Sequence, residues 1–183
     1  MYLILFKDII NLASESGLSA VFLGFESIDI LNLKSICQIK KNWREKYEKT
    51  IIKLHEKKVL IMGSFIFGFD GGDNGKILKT VEWAIKNKLD LVQFSILTPL
   101  PGTSLFKELD KQKRIETYAW TRYNTFESVF KATGWQEGEL KKKIKKAYKK
   151  FYSYSSILKR INKLPALHLL AYLMANVEFK FLR

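Results

Sequence analysis

Hydrophobic positions along the first hundred residues follow two alternating rhythms. Three runs are apolar at nearly every residue: Val21-Phe-Leu-Gly-Phe-Glu-Ser27, Leu60-Ile-Met-Gly-Ser-Phe-Ile-Phe-Gly-Phe-Asp70 and Leu91-Val-Gln-Phe-Ser-Ile-Leu-Thr-Pro-Leu-Pro-Gly-Thr103. Such runs suit parallel strands covered on both faces. Between them the apolar residues recur at helical spacing: Leu5, Ile9, Leu12 and Ala13 before the stop at Gly17; Tyr47, Ile51 and Leu54 among charges; and Ile77, Val81, Ala84 and Ile85 after a glycine-rich turn at 71–75. Pro99 and Pro101 cannot continue a central ladder, so the third strand ends near Thr98 and passes into a short helix near Leu105. The pattern predicts an α/β fold of three parallel βα units. The C-terminal ends of parallel strands share one rim, where ligands bind in such sheets, and this places Glu26, Asp70 and Thr98 at one candidate site.

A boundary falls between residues 112 and 113, giving a βα region over 1–112 and an α-helical C-terminal region over 113–183. Trp120, Tyr123, Phe126, Phe130 and Trp135 crowd a stretch with few helix signals, which predicts an irregular, aromatic-packed connection. Beyond it, Leu140, Ile144, Ala147, Phe151, Tyr154, Leu158 and Ile161 form an unbroken seam that predicts one long amphipathic helix. A last apolar segment, Leu164 to Val177, contains Pro165, His168 and Asn176 and is shorter than the roughly 20 apolar residues of a membrane crossing. It reads as a buried helix.

With 47% hydrophobic residues, the 183-residue chain can build a folded core. Met1-Tyr-Leu-Ile-Leu-Phe6 lacks the basic leader and cleavage site of a signal peptide, and cytoplasmic residence is expected. Cys37 is the single cysteine, so neither a disulfide nor a cysteine-built metal centre can come from this chain alone. Charge is concentrated late: residues 131–183 hold 13 Lys or Arg against 3 acids. The lysines between 141 and 150 would attract phosphates or an acidic partner, although a solvated helix face carries the same pattern. No phosphate loop, zinc-ligand spacing or serine elbow is present.

Several residues carry candidate chemistry. The Glu26 carboxylate ends an apolar strand, where it can hold an amine or ribose hydroxyls or simply form a surface ion pair. Gly63, Gly68 and Gly71 would let backbone approach a flat ring, or serve ordinary turns. Asp70 can orient a ligand or cap the next helix, with Asp73 the better cap. The string Thr98-Pro-Leu-Pro-Gly-Thr103 fixes a loop path and presents two hydroxyls. His55 and His168 have no partner at ligand spacing and read as structural.

These strings, Gly24-Phe-Glu-Ser27, Gly63-Ser-Phe-Ile-Phe-Gly-Phe-Asp70 and Val92-Gln-Phe-Ser-Ile-Leu-Thr-Pro-Leu-Pro-Gly-Thr103, with Arg114, Trp120, Tyr123 and Arg160 downstream, resemble the radical S-adenosylmethionine proteins of the cobalamin-binding-domain group. The resemblance implies the C-terminal half of a partial, TIM-like (β/α)₆ barrel. It also implies S-adenosylmethionine as cofactor and a [4Fe–4S] cluster held by a Cys-x₃-Cys-x₂-Cys loop, with cobalamin in some members. By resemblance Glu26 would contact the ribose or amino acid portion of the cofactor, Ser64, Ile66 and Gly68 would lie beside adenine, and Gln93 and Thr98 would close the pocket or face substrate. The cluster loop and three further strands have no counterpart here, which implies a partner half-barrel and no radical reaction without it. Open sheet edges support the same reading. Two other functions compete: an RNA- or acidic-partner-binding module using the basic helix, and attachment to a membrane surface through the C-terminal segments.

Overall fold

The computed structural model describes residues 7–36, 43–161 and 166–182; Met1–Phe6, Cys37 and Pro165 lie outside them. The elements run α1 (Lys7–Glu15), β1 (Ala20–Glu26), α2 (Ile30–Ile36), α3 (Trp43–Glu56), β2 (Leu60–Phe67), α4 (Lys76–Lys86), β3 (Leu91–Ile96), α5 (Ser104–Lys111), α6 (Glu139–Phe151), α7 (Tyr154–Arg160) and α8 (Ala166–Leu182), with a 3₁₀ turn at Trp120–Arg122. The three strands form one parallel sheet in the order β1-β2-β3. The chain is therefore an α/β protein with a three-stranded parallel sheet, as the alternating patterns predict.

One face of the sheet carries the core. Phe25 meets Tyr47 of α3 edge-on with ring centroids 5.0 Å apart, Phe65 meets Trp83 of α4 at 6.2 Å, and Phe94 meets Tyr148 of α6 at 4.9 Å. Ile51, Leu54, Val81, Ala84 and Ile144 pack into the same cluster. Gly63 belongs to this face: a Cβ there would lie 2.7 Å from Leu89 and 3.0 Å from Phe25, so its bare backbone admits core side chains rather than a ligand ring. The opposite face departs from the two-sided burial that the sequence predicts. Ala20 and Phe22 are exposed, Gly24, Met62, Ile66, Leu91 and Gln93 are half-buried, and only Ser64 and Ser95 are buried.

The two edges of the sheet are treated differently. Along the outer edge of β3 the Tyr152 hydroxyl accepts from Val92 N–H at 3.0 Å and donates to Val92 C=O at 2.9 Å. Tyr148 does the same at Phe94, with distances of 2.8 and 3.3 Å. Farther along, Ile96 N–H donates to Thr125 C=O. Two phenols four residues apart, Tyr148 on α6 and Tyr152 at its C-cap, thus satisfy backbone groups two residues apart on a strand, and no fourth strand can pair there. β1, in contrast, ends the sheet without a strand on its outer side among the described residues. Tyr152→Phe, which keeps the ring but strands the Val92 pair, is expected to cost about 1–3 kcal/mol, read as a lower urea midpoint with unchanged slope.

The helix α1 forms where its spacing predicts; among its described side chains Ile10 is buried, while Ile9 and Leu12 are exposed. Two later helical expectations need correction. The long C-terminal helix breaks after Phe151: the Ser153 side chain caps the N-terminus of α7 by accepting from Ser156 N–H, and beyond the break Tyr154 and Leu158 of the seam face outward at 62% and 68% exposure. Finally, α8 is not a buried helix. Tyr172 and Asn176 are buried, whereas Leu170, Leu173, Met174 and Val177 are exposed. No helix of the described residues is long and apolar enough to cross a membrane.

A buried polar knot joins α7 and α8 to the start of β3. The Arg160 guanidinium, fully buried, donates to the carbonyls of Leu89, Asp90 and Phe151 and to Asn176 Oδ1, all within 2.8–3.0 Å, and its plane lies 3.7 Å from the centre of the Phe151 ring. Beside it the buried Asp90 carboxylate accepts from Ile61 N–H at 2.8 Å and contacts His55 Nε2 at 3.1 Å. His55 is therefore a partnered residue at the N-terminal end of the sheet, and its companion lies 35 residues away, beyond any local pattern.

Candidate functional site

The C-terminal rim of the sheet carries all three residues singled out there: β1 ends at Glu26, Asp70 follows β2 by three residues, and Thr98 follows β3 by two. Their side chains do different things. At the end of β1 the register slips between Gly24 and Glu26, and Glu26 adopts a left-handed φ of +60°. A non-glycine residue held there is strained by about 1–2 kcal/mol, and such strain collects at functional positions. The bulge folds the carboxylate back over Gly24, so closely that a Cβ on Gly24 would collide with Glu26 Oε1.

That geometry places Glu26 over the open face. The strand register sets Gly24, Ser64 and Gln93 in one row across β1, β2 and β3, with Ile66 and Ser95 in the next row toward the rim and Phe22, Met62 and Leu91 in the row behind. Gln93 Nε2 donates to Ser95 Oγ at 3.3 Å. The result is a small-residue and hydroxyl-amide strip bounded by apolar side chains and topped by one carboxylate. Among the described residues that carboxylate has neither an ion pair nor a hydrogen bond. Burial pushes its pKa above the ordinary carboxylate value.

A raised folded-state pKa means that ionised Glu26 costs the fold, so its contribution is most favourable in acid and is lost as pH rises from about 4.5 through the raised value. Glu26→Gln is expected to unfold at the same urea concentration as the native chain at acid pH and at a higher one at neutral pH. Equal midpoints at both pH values would show that the carboxylate is not desolvated.

Asp70 is committed elsewhere. Its two oxygens accept from Arg114 and one also accepts from Thr133 N–H at 2.7 Å, while Arg114 reaches on to Lys131 C=O. Burial alone would push Asp70 up, but these donors outweigh it and hold the carboxyl below its usual range. The pair fastens residues 114–133 to the rim, helped by Trp135 Nε1 donating to Phe69 C=O and by the Ile115–Phe130 bridge. The N-cap position of α4 is Gly75; Asp73, two residues before it, accepts from Ile77 N–H in the first turn and pairs with Lys143. Asp70→Asn is expected to weaken the Arg114 pairing and to cost at most about 1 kcal/mol, since the site is half-exposed, with proteolysis of the 114–133 segment as the sensitive readout.

The remaining candidates sit at turns. Thr98 Oγ1 donates to Ile96 C=O, and Thr103 caps α5 through Phe106 N–H. Gly68, at φ +92°, leaves room for Leu140, since a Cβ there would lie 2.8 Å from it; Gly71, also at φ +92°, donates its N–H to Thr133. A cleft of about 550 Å³ lies above α4 and α5, lined by Leu31, Asn32, Phe69, Asp70, Lys76 and Leu97. It holds Asp70 but neither Glu26 nor Thr98. Thus Glu26, Ser64, Ile66 and Gln93 share the open face, whereas Gly68, Asp70 and Thr98 stand at the rim. Gly24, Arg114 and Ser95 complete these arrangements; register points to Gly24 and Ser95 only after the strands are paired. Among the described residues no three His, Cys, Asp or Glu side chains assemble as metal ligands.

No protein-family model matches the chain. It is 32% identical over 158 residues to a bacteriochlorophyllide d C-12(1)-methyltransferase of Chlorobaculum tepidum, covering 86% of this chain and 34% of that protein. Over 145 residues it is 30% identical to an uncharacterized methyltransferase of Pyrococcus horikoshii, covering 79% and 31%. Over 151 residues it is 27% identical to an anaerobic magnesium-protoporphyrin IX monomethyl ester cyclase of Cereibacter sphaeroides, covering 80% and 23%. The chain spans about one third, or less, of the length of the curated relatives it matches. Taken with the motifs at the strand ends, these similarities support a relation to the radical S-adenosylmethionine proteins.

Proposed function

We propose that this chain supplies the adenosyl-binding wall of a radical S-adenosylmethionine enzyme of the methyltransferase type. In this reading the sheet is the C-terminal half of a partial barrel, and a polypeptide segment bearing the remaining strands and the Cys-x₃-Cys-x₂-Cys loop completes it. The observation that carries the reading is Glu26. A strained, partly desolvated carboxylate without a partner among the described residues, folded over a strip of Gly24, Ser64 and Gln93, has the form of a group waiting for a cationic or hydroxyl-rich ligand. Bare Gly24 makes room for the Glu26 carboxylate, small Ser64 beside it leaves space for a flat ring, Ile66 gives the ring an apolar neighbour, and Gln93 offers an amide. Gly68, Asp70 and Thr98 serve the same pocket indirectly, by fixing the loops above it.

The edges support the direction of assembly. Tyr148 and Tyr152 close β3, so further strands would join at β1, beside the open face. When bound in the completed enzyme, the cofactor and its cluster would supply the radical chemistry; this chain, with a single cysteine, does not fit a cluster that needs three thiolates. Its own residues bind and orient. The relatives' names, two methyltransferases and a cyclase acting on large tetrapyrroles or an unspecified substrate, favour methyl transfer to an extended ring system; cobalamin would belong to the completing part.

The test is anaerobic complementation. The chain mixed with a cluster-reconstituted polypeptide carrying the cysteine loop should cleave S-adenosylmethionine to 5′-deoxyadenosine, while neither component does so alone. Absence of cleavage from a mixture shown to associate would refute the proposal.

A further inference from the structure

The end of the molecule opposite the ligand rim combines two features that the sheet does not need. α8 crosses beneath the strands: His168 Nδ1 meets Lys58 C=O at the entry to β2, Asn176 donates to Asp90 C=O at the entry to β3, and Phe179 stacks on Tyr152 beyond the β3 edge. Tyr172, Asn176 and Phe179 form its inward stripe. On the far side, Leu170, Leu173, Met174 and Val177 repeat at the helical spacing of 3, 1 and 3 and are 55%, 37%, 64% and 41% exposed. A helix apolar on two opposite faces has a use for the second one, because contiguous exposed apolar surface marks a contact site.

The turns against which α8 packs are basic. The turn entering β2 exposes Lys57 and Lys58, the turn entering β3 exposes Lys86 and Lys88, α7 exposes Lys159, and Lys180 rises beside the stripe over the Tyr154 ring. Glu56 and Glu178 are the exposed acids at these turns and on α8. A protein partner or second copy would have to answer apolar and cationic surface together, and a second copy would set lysine against lysine. Nucleic acid answers the charge and not the leucines. A bilayer with anionic headgroups answers both, with side chains entering the acyl boundary and lysines reaching phosphates.

We propose that this end of the protein is a membrane-surface contact for anionic lipid, in which α8 lies flat with Leu170, Leu173, Met174 and Val177 inward. The contact leaves the ligand rim facing away from the bilayer. It does not depend on the function proposed for that rim.

Flotation of the full chain with vesicles decides the matter. Vesicles of phosphatidylcholine containing about a third phosphatidylglycerol should carry the chain upward at low salt, and phosphatidylcholine alone should carry at least about tenfold less. The exposed double variant Leu173→Ser/Met174→Ser, and separately Lys57→Gln/Lys88→Gln, should each reduce binding by at least about tenfold with unchanged circular dichroism. Equal binding to neutral vesicles, or failure to float with either, would overturn the proposal. So would a chain that stays off vesicles while forming a dimer broken by the Leu173 and Met174 changes, or while being retained on RNA.

Discussion

Replacing Arg160 by Met is expected to destabilise the fold by about 3–5 kcal/mol, the largest effect of any single change considered. The guanidinium is fully buried and donates to three backbone carbonyls and one amide oxygen, drawn from the turn entering β3, from the end of α6 and from α8. Methionine fills part of the volume but leaves the carbonyls of Leu89 and Phe151 in a dry site without this donor and Asp90 C=O with Asn176 alone, and each stranded acceptor costs about 1–3 kcal/mol. It also removes the charge that balances the buried Asp90 carboxylate. Arg160→Lys should recover only part of the loss, because one ammonium cannot reach all the acceptors that the planar guanidinium fork spans. Chemical unfolding measures both. A loss below about 1 kcal/mol for Arg160→Met would mean that the knot is hydrated rather than dry.

The second large effect falls on ligand retention. In the completed enzyme, Glu26→Gln is expected to weaken S-adenosylmethionine binding by about tenfold to a hundredfold, because a hydrogen bond to a charged group contributes about 1.5–3 kcal/mol. The same substitution raises stability at neutral pH by removing the desolvated charge. Opposite signs in the two measurements identify a side chain kept for its ligand at the expense of the fold. Asp70→Asn separates the alternatives: its carboxylate already holds Arg114 and Thr133, so its loss should loosen the 114–133 segment and change ligand affinity little. Calorimetric titration reads affinity, and equal losses from both variants would argue that the rim as a whole, not Glu26, determines binding.

The three strands and the helices between them were legible because their apolar periods are unmixed: Tyr47, Ile51 and Leu54 in α3 and Ile77, Val81 and Ala84 in α4 are buried where helical spacing places them. The C-terminal helices were harder for a physical reason. The seam from Leu140 to Ile161 stays in step across the break, so hydrophobic spacing alone cannot show that Tyr152 turns to the β3 edge and that Ser153 starts a new helix. In α8 the inward and outward stripes interleave, and their sum imitates a helix buried all round. Glu26 was legible as a strand-end acid. Its left-handed backbone and its position over Gly24 were not, since a bulge is decided by the pairing of β1 with β2. The Asp70–Arg114 and His55–Asp90 pairs join residues 44 and 35 positions apart, beyond the reach of any local pattern.

In the proposed enzyme β1 is a joining edge beside an adenosyl-binding face, and amide hydrogen exchange resolved along the chain can distinguish it from β3. Addition of the polypeptide bearing the cysteine loop should slow exchange in Ala20–Glu26 strongly, with little change in Leu91–Ile96, whose outer edge Tyr148 and Tyr152 already occupy. Adding S-adenosylmethionine should then protect Gly24 and Ser64 further. Protection that appears at β3 and spares β1 would contradict the account.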